Sequence, residues 1–290
     1  MTKEEKKDKI FVSLMLQNDE RRRNMPSIER INELLAEVID NRRLGEIIYY
    51  DKTDSTNRRA REYAAARVEN KEDFCEFTPF IASRQTEGRG RRGRSFLSEA
   101  GGIYLSMLVR PTGTVLDPAK ITAETAAKIA PVIERNCGVT IDIKWVNDLY
   151  LNGKKLAGIL TEGEFDENGN LRYFVVGMGI NVYKIAEFEK KMPVATTLED
   201  EIGYAPDIEK ITAEIILALI NEDYEPDQLI SEYRRRSMIV GGEVTVTRGN
   251  ECYAAKALRI LDDYSLLVET EDGSSVALNS GEVSIRMTKV

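Results

Sequence analysis

Arginine and glycine alternate in one short segment of the chain, residues 88–94, which reads Gly-Arg-Gly-Arg-Arg-Gly-Arg. Glycine lets backbone N–H groups approach an anion closely, and arginine adds a cationic fork that matches phosphate and carboxylate oxygens. A second segment with charges of both signs, Lys144 to Asp148, lies downstream. Together the two segments predict a site that activates a carboxylic acid with a nucleotide.

The complete lack of histidine narrows the chemistry open to this chain. None of the 290 residues is histidine, which excludes histidine-activated serine or cysteine nucleophiles and histidine metal sites. Adenylation of an acid suits the side chains that remain, because the substrate carboxylate is itself the nucleophile and the protein mainly positions it and stabilises charge. We therefore expect no metal site built from protein side chains.

The charge of the 84–94 segment differs from that of the whole chain. The formal net charge of the protein is −8, which argues against nonspecific binding of nucleic acid. Residues 84–94 nevertheless contain five arginines and one glutamate. A local positive loop on an acidic protein indicates a discrete anionic ligand rather than a polymer such as RNA.

Cysteine usage and hydropathy favour a cytoplasmic location. The three cysteines, Cys75, Cys137 and Cys252, are far apart and odd in number, which is typical of reduced thiols. No apolar run approaches the roughly 20 residues that a membrane span needs. Residues 1–9 are charged and the apolar run after them lacks a small-residue cleavage site, so we expect neither a signal peptide nor membrane contact.

The residue pattern divides the chain into three parts. Residues 1–24 are charge-rich and predict a loose N-terminal extension. Residues 25–236 alternate between amphipathic helices and strands, and Asn-Gly at 152–153 and at 168–169 predicts two hairpins. Residues 237–290 contain only short strand candidates, which predict a small β-barrel. The candidate strands are 243–248, 252–261, 265–270, 274–278 and 283–287.

Six short motifs of this sequence resemble, in the same order, those of biotin protein ligases, the enzymes that attach biotin to acetyl-CoA carboxylase. Each motif is weak alone, but their order and their spread over residues 54–286 make the combined signal specific. The motifs are Asp54-Ser55-Thr56-Asn57, Gln85 with the 88–94 loop, Lys144-Trp145-Val146-Asn147-Asp148, Lys155-Leu156-Ala157-Gly158-Ile159-Leu160, Gly177-Met178-Gly179-Ile180-Asn181 and Ser280-Gly281-Glu282-Val283-Ser284-Ile285-Arg286.

The resemblance implies an α+β fold and a two-step reaction. The fold is a mixed β-sheet backed by helices, like that of class II aminoacyl-tRNA synthetases, followed by a small SH3-like barrel. In the first step the biotin carboxylate attacks the α-phosphate of MgATP, giving biotinyl-5′-AMP and pyrophosphate. In the second, a lysine amine of a biotin carboxyl carrier domain attacks the acyl carbon and releases AMP. The sequence leaves open whether the protein is a homodimer.

The resemblance assigns catalytic roles to three charged residues. Lys155 matches the lysine that contacts the biotin carboxylate and the reacting phosphate, where an ammonium group can neutralise developing charge. Asp148 can orient the attacking amine or take its proton, and Arg91 belongs to the loop expected to fold over biotin and the adenylate. Each assignment has a structural alternative. Lys155 can be a surface lysine in a hairpin, Asp148 can be a turn residue paired with Lys144, and the arginine loop can be a solvated loop.

The other expected contacts divide between biotin and the nucleotide. Val146 stands where the family usually has proline, and Phe96 where it often has tryptophan. Helix capping is an alternative role for Ser55 and Thr56, and core packing for Trp145. The expected biotin contacts are Ser55, Thr56, Asn57, Gln85, Gly88, Arg89, Arg91, Trp145, Lys155 and Gly158. The expected nucleotide contacts are Arg92, Arg94, Phe96, Asn147, Asn181 and Arg259.

Two other functions remain to be weighed against biotin ligation. Some relatives also bind DNA through an N-terminal winged helix, but only 46 residues precede the first predicted strand, so we expect no DNA binding. Lipoate ligases and octanoyl transferases share the fold, and a lipoate ligase is the alternative function. The octanoyl transferases rely on a cysteine, and none of the three cysteines here lies in a site motif.

Overall fold

The computed structural model describes most of the region in which the motifs lie. The described residues are 26–36, 43–111, 117–185, 188–221, 223–279 and 283–287. The predicted N-terminal extension lies outside them, as does Ser280-Gly281-Glu282 of the last motif. Every helix within these ranges is too short or too polar to span a lipid bilayer.

The larger β-sheet carries most of the predicted site. Its strands are β1 (Ile48–Tyr50), β2 (Phe77–Ala82), β3 (Gly102–Val109), β4 (Asp142–Lys144), β5 (Asp148–Leu151), β6 (Lys154–Phe165) and β7 (Leu171–Asn181). In the described part of the chain these seven strands lie in the order β1-β2-β3-β7-β6-β5-β4. The β1–β2 pair is parallel and the other pairs are antiparallel. The predicted mixed sheet is therefore confirmed.

Helices pack against both faces of this sheet. The α-helices of the described residues are α1 (Ile28–Ala36), α2 (Thr56–Asn70), α3 (Pro118–Cys137), α4 (Phe188–Lys191), α5 (Leu198–Ile202), α6 (Ile208–Ile220) and α7 (Pro226–Arg236). Successive side chains of a strand point to opposite faces. Phe80 and Leu108 accordingly pack against Ala60 and Ala64 of α2, whereas Ile81 faces the main core with α3 and α6. Double coverage explains why β2 and β3 are buried along their whole length and mostly apolar.

Two tight turns set the positions of the long strands. Asn152 and Gly153 both have positive φ, 51° and 76°, as a type I′ hairpin turn requires. The second predicted turn contains Gly169 at φ 80° and joins β6 to β7. Both predicted hairpins are present.

The C-terminal residues form a second, antiparallel sheet. Its strands are β8 (Glu243–Arg248), β9 (Glu251–Ile260), β10 (Leu266–Thr270), β11 (Ser275–Leu278) and β12 (Val283–Met287). Within the described residues they lie in the order β11-β10-β9-β8-β12. All five predicted strands are present, as expected for an SH3-like domain. The Tyr233 ring of α7 packs edge-on against Tyr264, with 5.4 Å between ring centroids, so the small sheet is seated directly on the larger domain.

Candidate active site

One cleft of about 270 Å³ brings most of the predicted site residues together. It is bounded by the N-terminus of α2, the 88–96 loop, the turn between β4 and β5, and strands β6 and β7. The cleft therefore collects the first five sequence motifs at one place. The predicted residues that line it are Ser55, Thr56, Asn57, Gln85, Arg89, Arg91, Arg92, Arg94, Phe96, Trp145, Asn147, Asp148, Lys155 and Gly158.

Three predicted contacts do not line this cleft. Gly88 lines an adjoining groove on the other side of the loop, where its carbonyl oxygen accepts a hydrogen bond from the Phe96 backbone at 2.9 Å. Asn181 is buried and donates its side-chain amide to the Thr196 carbonyl at 3.0 Å, so it supports the wall of the site. Arg259 lies on β9 of the small sheet, where it pairs with Leu267 of β10, and it does not line the cleft.

Lys155 and Asp148 form an ion pair at the cleft. Lys155 Nζ lies 2.7 Å from Asp148 Oδ1, and the two residues lie on the adjacent strands β6 and β5. Gly158 pairs with Asp148 across these strands and adjoins the ion pair: a Cβ there would lie 3.4 Å from Lys155 Nζ and from Asp148 Oδ1, in van der Waals contact with both. Lys154 is exposed and pairs with Glu201 at 3.7 Å, as the alternation of a strand predicts. The ammonium group of Lys155 is therefore the one that faces the cleft.

The backbone of Lys155 is held by a segment that sequence reasoning missed. Its N–H donates to the Val194 carbonyl and its carbonyl accepts from the Thr196 N–H, each at 2.9 Å. Glu201 supports this segment, because its carboxylate accepts from Thr196 Oγ1 at 2.6 Å, and a hydrogen bond from Thr196 helps to lower the pKa of Glu201. Met192 of the same segment lines the cleft. No local pattern marks this segment, since its contacts join distant parts of the chain.

The arginine loop folds back on itself over the cleft. Gly90 donates its N–H to the Arg94 carbonyl at 2.7 Å, and Arg92, at φ 58°, adopts the left-handed conformation between them. Arg91 Nη1 donates to Asn147 Oδ1 at 3.2 Å, which joins the loop to the Lys144–Asp148 motif. Burial lowers the pKa of Arg91, and the nearby Asp148 carboxylate opposes this shift. The geometry presents Arg91 to an anion in the cleft.

Uncharged polar groups cluster at the α2 end of the cleft. Gln85 Oε1 accepts from the Thr56 backbone N–H at 2.8 Å and lies 3.1 Å from Thr56 Oγ1, so Gln85 rather than a capping side chain satisfies this end of the helix. Ser55 occupies the N-cap position, but among the described residues its side chain makes no capping hydrogen bond.

Asp54, just before this helix, accepts hydrogen bonds from Arg58 and Arg59. The Arg59 bonds contribute most to holding the pKa of Asp54 below its usual range.

Trp145 both lines the cleft and joins it to the small sheet. Its indole Nε1 donates to the Tyr264 carbonyl at 2.9 Å, and only 5% of the residue is exposed. The next residue, Val146, follows a cis peptide bond, and its carbonyl accepts from the buried Tyr233 hydroxyl at 3.1 Å. Trp145 therefore lines the cleft and also packs in the core, and its contact with biotin stays a prediction.

Known proteins match this chain in both sequence and fold. A family model described as "Biotin/lipoate A/B protein ligase family" matches residues 49–181, which span α2, the arginine loop and strands β1 to β7. A relative named "Bifunctional ligase/repressor BirA" from Bacillus subtilis is 31% identical over 237 residues, covering 78% of this chain and 70% of that protein. The chain belongs to the biotin protein ligase family.

Two further comparisons fit this assignment. A "Biotin--[acetyl-CoA-carboxylase] ligase" from Mycobacterium tuberculosis is 32% identical over 213 residues, covering 70% of this chain and 77% of the relative. The solved structure of a biotin protein ligase from Aquifex aeolicus, in complex with biotin and ATP, aligns with a TM-score of 0.68 and 25% identity. That alignment covers 83% of this chain and 99% of the other.

Proposed function

We propose that this protein activates biotin with ATP and transfers it to a lysine of a biotin carboxyl carrier domain. The observation that carries the proposal is the Lys155–Asp148 pair, with its 2.7 Å separation, in a cleft covered by an arginine loop. The pair offers a cation for the first step and a carboxylate for the second. The name of the Mycobacterium relative gives acetyl-CoA carboxylase as the acceptor, and we propose the biotin carboxyl carrier domain of that enzyme as the acceptor here.

In the first step, the biotin carboxylate attacks the α-phosphate of ATP, and the bond to pyrophosphate breaks. Negative charge then gathers on the phosphate oxygens and the leaving group. Lys155, with Arg91 from the loop above, supplies positive charge to this region, and such preorganised groups stabilise the transition state more than the ground state. The loop also excludes water, which would otherwise hydrolyse the mixed anhydride.

Mg²⁺ is proposed to enter as part of the nucleotide substrate. Within the described ranges, no group of three or more Asp, Glu or Cys residues is placed to hold a metal ion. Phosphate oxygens are preferred ligands of Mg²⁺, which protein sites often bind through one or two carboxylates only. The phosphate oxygens of ATP would therefore supply most of the ligands of the ion. When bound, the ion would neutralise phosphate charge.

In the second step, the amine of the carrier lysine attacks the acyl carbon and AMP leaves. The amine must lose a proton, and the Asp148 carboxylate is the acceptor that the cleft offers. At the same time Lys155 can remain beside the phosphate of the departing AMP. The two members of one ion pair would thus serve the two steps in turn.

The assembly and location of the protein are further proposals. Cys75, Cys137 and Cys252 are free thiols, which supports a cytoplasmic location. A monofunctional enzyme without DNA binding stays a prediction, and so does a homodimer. A gel-shift assay with the protein's own promoter region addresses the first, and analytical ultracentrifugation with and without biotin and ATP addresses the second.

Biotin-dependent exchange of pyrophosphate into ATP tests the proposed function directly. We expect exchange with biotin and little with lipoate, followed by transfer of labelled biotin to a purified carrier domain. Exchange with lipoate but not with biotin would overturn the substrate assignment. Exchange without transfer to any carrier lysine would overturn the second step.

Two glycines of β7 make a testable contrast between the two ends of the cleft. A Cβ at position 177 would lie 1.9 Å from Asn57 Oδ1, and one at position 179 would lie 2.5 Å from the Phe96 ring. Asn57, which is held by hydrogen bonds, is an expected biotin contact, whereas Phe96 is an expected nucleotide contact. We expect Gly177→Ala to raise the KM for biotin at least tenfold, and Gly179→Ala to raise chiefly the KM for ATP. Steady-state kinetics of both variants measure the two values, and the opposite pattern would reverse the assignment of the two ends.

A further inference from the structure

The orientation of the Asn57 carboxamide is determined by its neighbours. Its Nδ2 lies 2.8 Å from Glu162 Oε2 and 3.3 Å from the Leu160 carbonyl oxygen. Both partners are acceptors only, so the amide nitrogen must face them. The amide oxygen therefore faces the opposite way, toward Ser106 Oγ at 2.6 Å.

This orientation determines where the Ser106 hydroxyl sends its single proton. Ser106 is completely buried on β3, and Asn57 Oδ1 can only accept, so the Ser106 proton lies between these two atoms. The other neighbour of Ser106 Oγ is Thr56 Oγ1, at 2.7 Å. With its own proton committed, Ser106 can only accept from Thr56.

The Thr56 hydroxyl is surrounded on the protein side by acceptors. Besides Ser106 Oγ it has Gln85 Oε1 at 3.1 Å. That atom is the amide oxygen, because it also accepts from the Thr56 backbone N–H, while Gln85 Nε2 donates to Ser98 Oγ at 3.0 Å. Whichever neighbour receives it, the Thr56 proton points into the protein. The lone pairs of Thr56 Oγ1 are what remains for a molecule in the cleft.

We infer that Glu162 and Ser106 are positioning residues that hold the Thr56 hydroxyl as a hydrogen-bond acceptor for a ring N–H of the substrate. The inference rests on the proposed function and deepens it, because it identifies the residues that select a cyclic urea. A cyclic urea offers N–H donors, and the apolar disulfide ring of lipoate offers none. A ring without a donor leaves the Thr56 lone pairs unsatisfied, which disfavours its binding.

Glu162 acts on the substrate through three intervening side chains, so its removal should change biotin binding and leave the chemistry intact. We expect Glu162→Ala to raise the KM for biotin about five- to tenfold, with kcat and the KM for ATP within twofold of the wild type. Glu162→Gln retains an acceptor oxygen for Asn57 Nδ2 and should restore the KM. Desthiobiotin, which keeps the urea ring, should show the same loss as biotin.

Glu164→Ala is the matched control. Glu164 lies two residues further along β6 and faces the same arginine, Arg61, at 3.6 Å, whereas Glu162 lies 3.5 Å from it. Removal of the Glu164 carboxylate therefore takes one negative charge away from Arg61 without changing the contacts of Asn57. We expect wild-type KM values for biotin and ATP. Equal effects of the two alanine variants would overturn the inference, because charge alone would then explain them.

Ser106→Ala provides a second variant, with the melting temperature measured beside the kinetics. A raised KM for biotin in Ser106→Ala, not increased further by adding Glu162→Ala, would support one connected hydrogen-bond chain. Unchanged KM values in folded Ser106→Ala and Glu162→Ala would overturn the positioning role while the wild-type enzyme still used biotin. Wild-type enzyme without biotin-dependent exchange would instead overturn the proposed function, and the inference with it.

Discussion

Replacement of Lys155 by alanine is expected to slow biotinyl-AMP formation by about 10²- to 10³-fold, the loss seen when one preorganised group that stabilises transition-state charge is removed. The ammonium group lies in the cleft beside Asp148, where it can meet both the biotin carboxylate and the α-phosphate. Its loss removes the ammonium group that the proposed mechanism places beside the pentacoordinate phosphorus. Single-turnover formation of labelled biotinyl-AMP measures the effect on this step alone.

The neighbouring lysine provides the control for this experiment. Lys154 has the same charge and lies on the same strand, but it is exposed and pairs with Glu201 outside the cleft. We expect Lys154→Ala to form the adenylate at close to the wild-type rate. Similar losses in both variants would show that general positive charge matters rather than the position of Lys155. An unchanged rate in Lys155→Ala would remove the lysine from the mechanism, and Arg91→Ala would then be the next variant to measure.

The chemistry-bearing motifs could be located from the sequence because each carries a local signature. The alternation of arginine and glycine at 88–94 predicts a loop suited to anions, and this loop lines the cleft. Asn152-Gly153 marks the turn between the strands that carry Asp148 and Lys155. Strand spacing after residue 237 was equally informative, since short strands with turn residues between them leave a regular pattern. In each case the physical cause lies within a few residues of its signal.

Contacts between distant residues could not be predicted in the same way. Asn57 and Glu162 are 105 positions apart, and Trp145 and Tyr264 are 119 apart. Neither pair leaves a periodic or compositional trace. The segment that contains Met192 and Val194 was missed for the same reason, because its backbone pairing with Lys155 joins parts of the chain that are distant in sequence. The resemblance suggested nucleotide contacts at Asn181 and Arg259, but it could not show that neither lines the cleft.

The small C-terminal sheet contributes to the site through the segment that carries Asp148. Trp145 donates to the backbone of Tyr264, and Tyr233 contacts both Val146 and the Tyr264 ring. These contacts hold one end of the β4–β5 turn, while Arg91 reaches Asn147 from the opposite side. The turn is thus fixed from two directions, and this accounts for the placement of the Asp148 carboxylate beside Lys155.

Replacement of Asp148 by asparagine is expected to slow transfer of biotin to the carrier lysine by about 100-fold, within the range for loss of a general base. Asparagine keeps the size of the side chain but cannot take the proton of the attacking amine. Adenylate formation should fall much less, because Lys155 keeps its charge when its partner becomes neutral. Single-turnover transfer from purified enzyme-bound biotinyl-AMP separates this step from the first.

Hydroxylamine distinguishes a base from a residue that merely positions the adenylate. It is a small amine that is largely uncharged at neutral pH, so its attack on biotinyl-AMP needs no carboxylate to remove a proton first. If Asp148 acts as the base, the Asp148→Asn variant should transfer biotin slowly to the carrier lysine but react with hydroxylamine at the wild-type rate. Equal slowing with both amines would show that Asp148 holds the adenylate and is not the base. Transfer to the carrier at the wild-type rate would show that Asp148 only pairs with Lys155. Because the 2.7 Å ion pair serves both steps in the proposed mechanism, Lys155→Ala and Asp148→Asn should fail at different steps of the same reaction.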